Sequence, residues 1–291
     1  MDMRRMSFRQ IIIILITLLL CIHLFASCSK KESEQSNEKS EETEKKEPET
    51  LKKLESTIQE IIDELDKKEE EEKQETEMKI ETTTEMKSEQ DSEKEQNETK
   101  QETKQEITKE SPEDKKWKAV SKRIEEIHKQ WNNLQPDLVT AGVSKQPLDD
   151  FSNTLNSLTI FADSKDMQST LFLSNELTRI IADFMEQFKG KVPPDIKRMS
   201  YYVRDAKYNG MINQWEKAKS GINNLKSHWS IIKPQTNKDQ ESDASKTEFS
   251  ITELEKVIDQ KNLNLTKIKS DITLENIKKL EESFEKAEKK E

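Results

Sequence analysis

Residues 148–162, LDDFSNTLNSLTIFA, place Leu148, Phe151, Leu155, Leu158 and Ala162 at spacings of 3, 4, 3 and 4. At 3.6 residues per turn these five side chains share one face of an α-helix. Forty-eight residues further on, IKRMSYYVRDAKYNG (196–210) sets Ile196, Met199, Val203, Ala206 and Gly210 in the same places. A further forty-eight on, ASKTEFSITELEKVI (244–258) does so with Ala244, Thr247, Ile251, Leu254 and Ile258. Each run ends in a short polar turn: Ser164-Lys165-Asp166, Ile212-Asn213-Gln214 and Gln260-Lys261-Asn262. A second helix then opens on Met167, Trp215 or Leu263, with a small residue three positions later: Thr170, Ala218 or Thr266. Ile181, Trp229 and Ile277 also superpose.

Short side chains next to a turn let two backbones approach closely, and a self-similar period of this length means packed hairpins that cannot bury their apolar faces singly. The predicted class is all-α: antiparallel helical hairpins with a 48-residue internal repeat, as a short α-solenoid or a bundle. The arrangement is similar in logic to tetratricopeptide repeats, with a longer period and without that family's signature residues. No segment alternates like a strand, and four glycines leave little material for β-turns.

The folded part is expected at 115–291. Ser111-Pro112-Glu113-Asp114 supplies an N-cap, a proline at the first helical position and acids in the first turn. Trp117, Val120, Ile124, Ile127, Trp131 and Leu134 then line one face, and Pro136 and Gly142 end or kink the helix. Gly190 closes one helix, Pro193-Pro194-Asp195 opens the next and Pro234 stops a third. Gln235–Lys246 reads as a polar loop, and Ser250-Ile251-Thr252-Glu253 as a capping box.

Residues 28–114 read differently. From Ser29 to Asp114 there are 31 acids, 16 lysines and ten apolar residues, too few to offset the entropy of ordering the chain. This predicts a disordered Lys/Glu-rich tether, a spacer that carries the folded domain away from its anchor. One island interrupts it: Leu51, Leu54, Ile58, Ile61 and Leu65 recur at 3, 4, 3 and 4, a short amphipathic helix over about 50–66. Two heptads are marginal alone, so the expectation is a transient helix, with docking on the folded domain or on a partner as the alternatives.

Residues 1–27 have the layout of a secretory signal peptide: Arg4, Arg5 and Arg9, then an apolar run from Ile11 to Ala26 interrupted by His23. Sixteen residues of helix span about 24 Å, short for a permanent anchor across about 30 Å of hydrocarbon. Phe25-Ala26-Ser27-Cys28 resembles the lipobox of bacterial lipoproteins, with Phe25 where that family usually has Leu. The resemblance implies that Cys28 receives a diacylglycerol thioether and becomes the new N-terminus, anchoring the chain on the extracytoplasmic face of the cell membrane. Cys21 lies in the segment that would be removed, so the mature chain has neither a thiol nucleophile nor a disulfide.

Candidate chemistry is sparse. Glu125 and His128 have the Glu-x-x-His spacing of carboxylate-bridged metals in bundles, but in one copy, so they are weak metal candidates and no cofactor is expected. His228 reads as a rim residue. No phosphate loop, His-Glu-x-x-His or Gly-x-Ser-x-Gly occurs. The best candidate for partner or ligand contact is a stripe on the middle hairpin, Lys197, Tyr201, Arg204 and Tyr208, where an arginine between two tyrosines can hold an anionic group or a partner's side chain. The near balance of 30 basic and 27 acidic residues in 115–291 argues against nucleic acid. The expectation is a non-enzymatic envelope lipoprotein presenting a helical interaction module to a protein partner, with ligand or metal binding between hairpins as the alternative.

Overall fold

The regular alternation of apolar faces and turns resolves, in a computed structural model, into eight α-helices among the described residues. It describes residues 45–66 and 111–287, all within one compact unit. The signal segment, Cys28 and residues 67–110 lie outside the described residues.

The helices are α1 (Glu49–Asp66), α2 (Pro112–Ala141), α3 (Lys145–Asp163), α4 (Met167–Met185), α5 (Pro194–Met211), α6 (Trp215–Ile232), α7 (Glu241–Asp259) and α8 (Leu263–Ala287). Among the described residues there is no strand, only an isolated bridge between Lys46 and Lys189, and no helix is long and apolar enough to cross a membrane.

Every repeat position predicted to face inward does so. The five on α3, the five on α5 and the five on α7 are all buried. Thr170, Ala218 and Thr266 are fully buried at the crossings beside the turns. The turns repeat as well: Lys165, Asn213 and Lys261 each adopt the left-handed conformation, with φ of 57°, 59° and 53°. In the middle hairpin Gly210 occupies the crossing because Trp215 fills the space beside it, 3.2 Å from where a Cβ would stand.

The hairpins pair into two four-helix rings. In the second, α5 packs on α6 and α8, and α7 on α6 and α8. In the first, α3 packs on α4 and α2, and α1 closes the ring against both α2 and α4. Two cores follow, one built from α1–α4 with Tyr208 and the other from α5–α8, and contact between α4 and α5 joins the two rings. The architecture is therefore a pair of bundles, the geometry in which each amphipathic helix meets two neighbours.

The island at 51–65 is a full member of this fold, which corrects the expectation of a transient helix inside a tether running to residue 114. Leu51, Leu54, Ile58 and Ile61 are completely buried, and Ile62 and Leu65 nearly so. At roughly 1.5–3 kcal/mol for each buried aliphatic chain, docking outweighs the weakness of an isolated two-heptad helix. The α1 stripe 51-54-58-61-65 has the same 3-4-3-4 spacing as the first helices of the other hairpins, and Trp117, Val120, Ile124, Ile127 and Trp131 on α2 match the second helices. α1 and α2 form a fourth hairpin whose turn is replaced by residues 67–110.

Ser111 caps α2, its hydroxyl accepting from the Asp114 amide at 3.0 Å, and Gly142 closes it in the left-handed region. Pro136 lies inside that helix and does not end it. Two local expectations are corrected. α7 begins at Glu241, so only the first part of Gln235–Lys246 is irregular, because Ala244 and Thr247 are needed in the core. Ser250 is then mid-helix, its hydroxyl donating to the Thr247 carbonyl, and no capping box forms at 250–253.

Candidate functional site

Among the described residues α5 carries a cluster of buried cations: it packs against α4, α6 and α8, and Lys197 and Lys207 reach α1 from its remaining edge. Positions 197, 204 and 207 point along that edge. Lys197 Nζ lies 2.6 Å from Glu55 of α1 and 2.7 Å from Glu281 of α8. Lys207 Nζ lies 2.8 Å from both Asp66 of α1 and Asp271 of α8. Burial alone pushes both ammonium groups down; the paired carboxylates override it and hold both above the usual lysine range.

Arg204, between them, is 5 % exposed and bonded differently. Its Nε donates to Asn175 Oδ1 at 2.7 Å, one terminal nitrogen to Thr178 Oγ1 at 3.1 Å and the other to Gln59 Oε1 at 3.3 Å. These acceptors are neutral, and burial lowers the guanidinium below its ordinary value, with Glu55, Asp63 and Asp66 opposing at longer range.

The stripe expected to meet a partner thus divides in three. Lys197 ties α5 to α1 and α8, and Arg204 ties it chiefly to α4, with one longer bond to α1. Tyr201 turns toward α4, its hydroxyl donating to Glu176 at 3.0 Å; burial, then the Glu176 charge, raises its phenol. Tyr208 is 2 % exposed in the first core, edge-on to Phe172 at 5.7 Å, and cannot meet another molecule. Of the four candidate partner or ligand contacts, Tyr208 is enclosed in the core, while Lys197 is held by Glu55 and Glu281 and Arg204 by Asn175, Thr178 and Gln59.

Glu125 and His128 do not converge with other ligating groups; among the described residues no set of three or more His, Cys, Asp or Glu is placed to hold a metal. Glu125 is exposed. The Thr159 hydroxyl donates to the Leu155 carbonyl, so it accepts from His128 Nε2 at 3.0 Å, and the imidazole ties α2 to α3. His228 stacks on Tyr202 with centroids 5.3 Å apart, its Nδ1 2.7 Å from Asp195 Oδ1.

Sequence reasoning passed over Lys207 and Gln59. The signal was available: Glu55, Gln59 and Asp66 lie along one edge of the α1 stripe, at helical spacing that complements 197, 204 and 207 on α5.

Above this ladder a groove runs between α1 and α8. It holds a cleft of about 750 Å³ between Glu60, Lys278 and Glu282, and another of about 430 Å³ beside Leu65, Met211 and Ile268. Arg204 lines both. Compared with known protein families, curated proteins and solved structures, the chain shows no significant match.

Proposed function

We propose that the chain is a lipoprotein of the cell envelope, anchored through acylated Cys28 on the extracytoplasmic face, whose helical domain is a non-enzymatic interaction module. The layout of residues 1–28 supports the anchor. The observation that carries the module is the groove over α5: an open channel between two helices, with a floor fixed by ion pairs and walls rich in carboxylates, among them Glu60, Glu275, Glu282 and Glu285. Such a channel suits a protein partner that presents basic side chains.

The spacer takes a different form in this reading. The described fold begins at Lys45, so sixteen residues separate it from Cys28, a reach of at most about 60 Å when fully extended. The acidic residues 67–110 are inserted within the first hairpin and add nothing to that reach.

Two measurements test this. Growth with a labelled fatty acid should label the wild-type protein and leave Cys28→Ser unlabelled; label on both, or on neither, rejects the anchor. Cross-linking in intact cells should join the groove to an envelope protein, and Glu275→Lys with Glu282→Lys, the first exposed and the second half-exposed on α8, should abolish that product without lowering Tm. An unchanged product would move the interaction elsewhere.

A further inference from the structure

Arg204 stands apart from the other cations packed against this part of the fold. Lys197 and Lys207 each hold two carboxylates, Arg198 meets Asp183, Glu186 and Asp195, and Arg179 meets Glu176 and Asp183. Among the described residues no carboxylate comes within ion-pair distance of Arg204, although it is among the most deeply buried of these groups. A buried guanidinium served only by neutral acceptors is costly, and the cost is relieved when an anion with suitable geometry reaches it. Arg204 has five N–H donors, and its three protein hydrogen bonds leave two for such an anion.

The smaller of the two clefts it lines has a defined chemistry. Its walls include Met167, Leu171, Met211, Ile268 and Leu274, from α4, α5 and α8. Two lysines share its lining: Lys207, whose charge is matched by Asp66 and Asp271, and Lys267. About 430 Å³ in volume, the cleft is lined half by apolar and half by polar side chains, the charged ones being Arg204, Lys207 and Lys267 with Asp63, Asp66 and Asp271, so an amphiphile meets both kinds of surface there. The methionines add walls that adapt to an irregular chain. Asp63, Asp66 and Asp271 also line the cleft, so a group with two negative charges would meet more repulsion than the one charge of Arg204 offsets.

We propose that this cleft binds a monoanionic amphiphile, with a carboxylate on Arg204 and an aliphatic chain against Met167, Leu171, Met211 and Ile268. The inference does not depend on acylation of Cys28.

The test is calorimetric titration of the full-length chain in nanodiscs of uncharged lipid with hexanoate and octanoate, subtracting the heat of empty discs. One saturable site per chain is expected, with octanoate bound about tenfold more tightly for its two added methylenes. Arg204→Gln should lose binding. Because that variant also removes a contact to α1, Ile268→Asp is the second probe: Ile268 is 54 % exposed, so the fold tolerates the change while the apolar wall gains a repelling charge. It should weaken octanoate at least about tenfold at unchanged Tm. Absence of saturable heat with the wild type, or equal binding by Ile268→Asp, overturns the proposal. Either result leaves the fatty-acid labelling of Cys28 to be judged separately.

Discussion

Lys207 on α5 and Asp66, the last residue of α1, lie 141 positions apart in sequence and 2.8 Å apart in space. The pair stitches the N-terminal helix, which completes the first bundle, to the helix that opens the second. Its ammonium is shared with Asp271 of α8, so three elements meet at one buried charge.

That sharing predicts non-additive mutants. Asp66→Asn alone should cost little, about 1 kcal/mol, because Asp271 still compensates the ammonium. Asp66→Asn with Asp271→Asn strands a side chain only 6 % exposed and should cost about 3 kcal/mol or more. Urea unfolding of the two single variants and the double variant gives the coupling; strict additivity would mean that Lys207 reaches water instead.

The α1 core is as stringent as any other part of the bundle. Ile58→Ala should lower stability by about 2–5 kcal/mol, the range for a completely buried aliphatic chain. A loss under about 1 kcal/mol in chemical denaturation would show α1 to be a loosely held accessory.

How the sequence led to these helices explains both what was legible and what was not. Hydrophobic period and turn spacing located α3 to α8, because a repeat supplies three independent readings of each position. α1 was visible as a stripe, but its destination was not. Local composition around Leu51–Leu65 describes a chain unable to fold alone, and only the open side of α2 and α4 supplies the missing partner surface. The surroundings of the stripe on α5 were illegible for a related reason. Lys197 and Arg204 stand out by residue type beside an apolar face, yet a sequence cannot say whether a buried charge meets a foreign molecule or a distant part of its own chain. Glu125 and His128 carried too little signal to be more than surface and tie residues.

The three left-handed turn residues respond to glycine in a predicted order. A non-glycine residue there costs about 1–2 kcal/mol, and asparagine tolerates the region better than lysine. Lys165→Gly and Lys261→Gly should therefore raise stability by about 0.5–1 kcal/mol, and Asn213→Gly by less. Lys165 also pairs with Asp114 at 2.7 Å, but both side chains are about half exposed, so the loss of that contact subtracts little. Thermal melts of the three variants decide it, and equal gains would remove the distinction drawn for Asn213.

Alkali should loosen the α5 junction. The folded-state values of the Lys197 ammonium and the Tyr201 phenol are both raised, so the native state holds these protons more tightly than the unfolded chain. Their contribution is complete below about pH 10, where both unfolded groups are still protonated, and is lost as pH rises through the higher folded values. Tm should fall above about pH 10, and Lys197→Met with Tyr201→Phe should flatten that fall. Parallel slopes for wild type and variant would place the alkaline sensitivity elsewhere.

Residues 67–110 should be dispensable for folding. The N-terminal end of α1 meets the C-terminal end of α2, where Lys45 Nζ donates to the carbonyls of Thr140 and Ala141, while Arg123 pairs with Glu60 toward the other end. The two helices are therefore antiparallel, and Asp66 and Ser111 emerge at the same end of the bundle. Closing a loop of 44 residues costs more chain entropy than closing a short one, by about 0.6 kcal/mol for each doubling of length. Replacing the segment with about ten Gly/Ser residues should therefore keep Trp117 and Trp131 buried and raise stability by about 1 kcal/mol. Tryptophan fluorescence and denaturant midpoints measure both effects. A red-shifted spectrum in the shortened chain would show that the insert is needed to bring α1 onto α2 and α4, and that the first hairpin is not built like the other three.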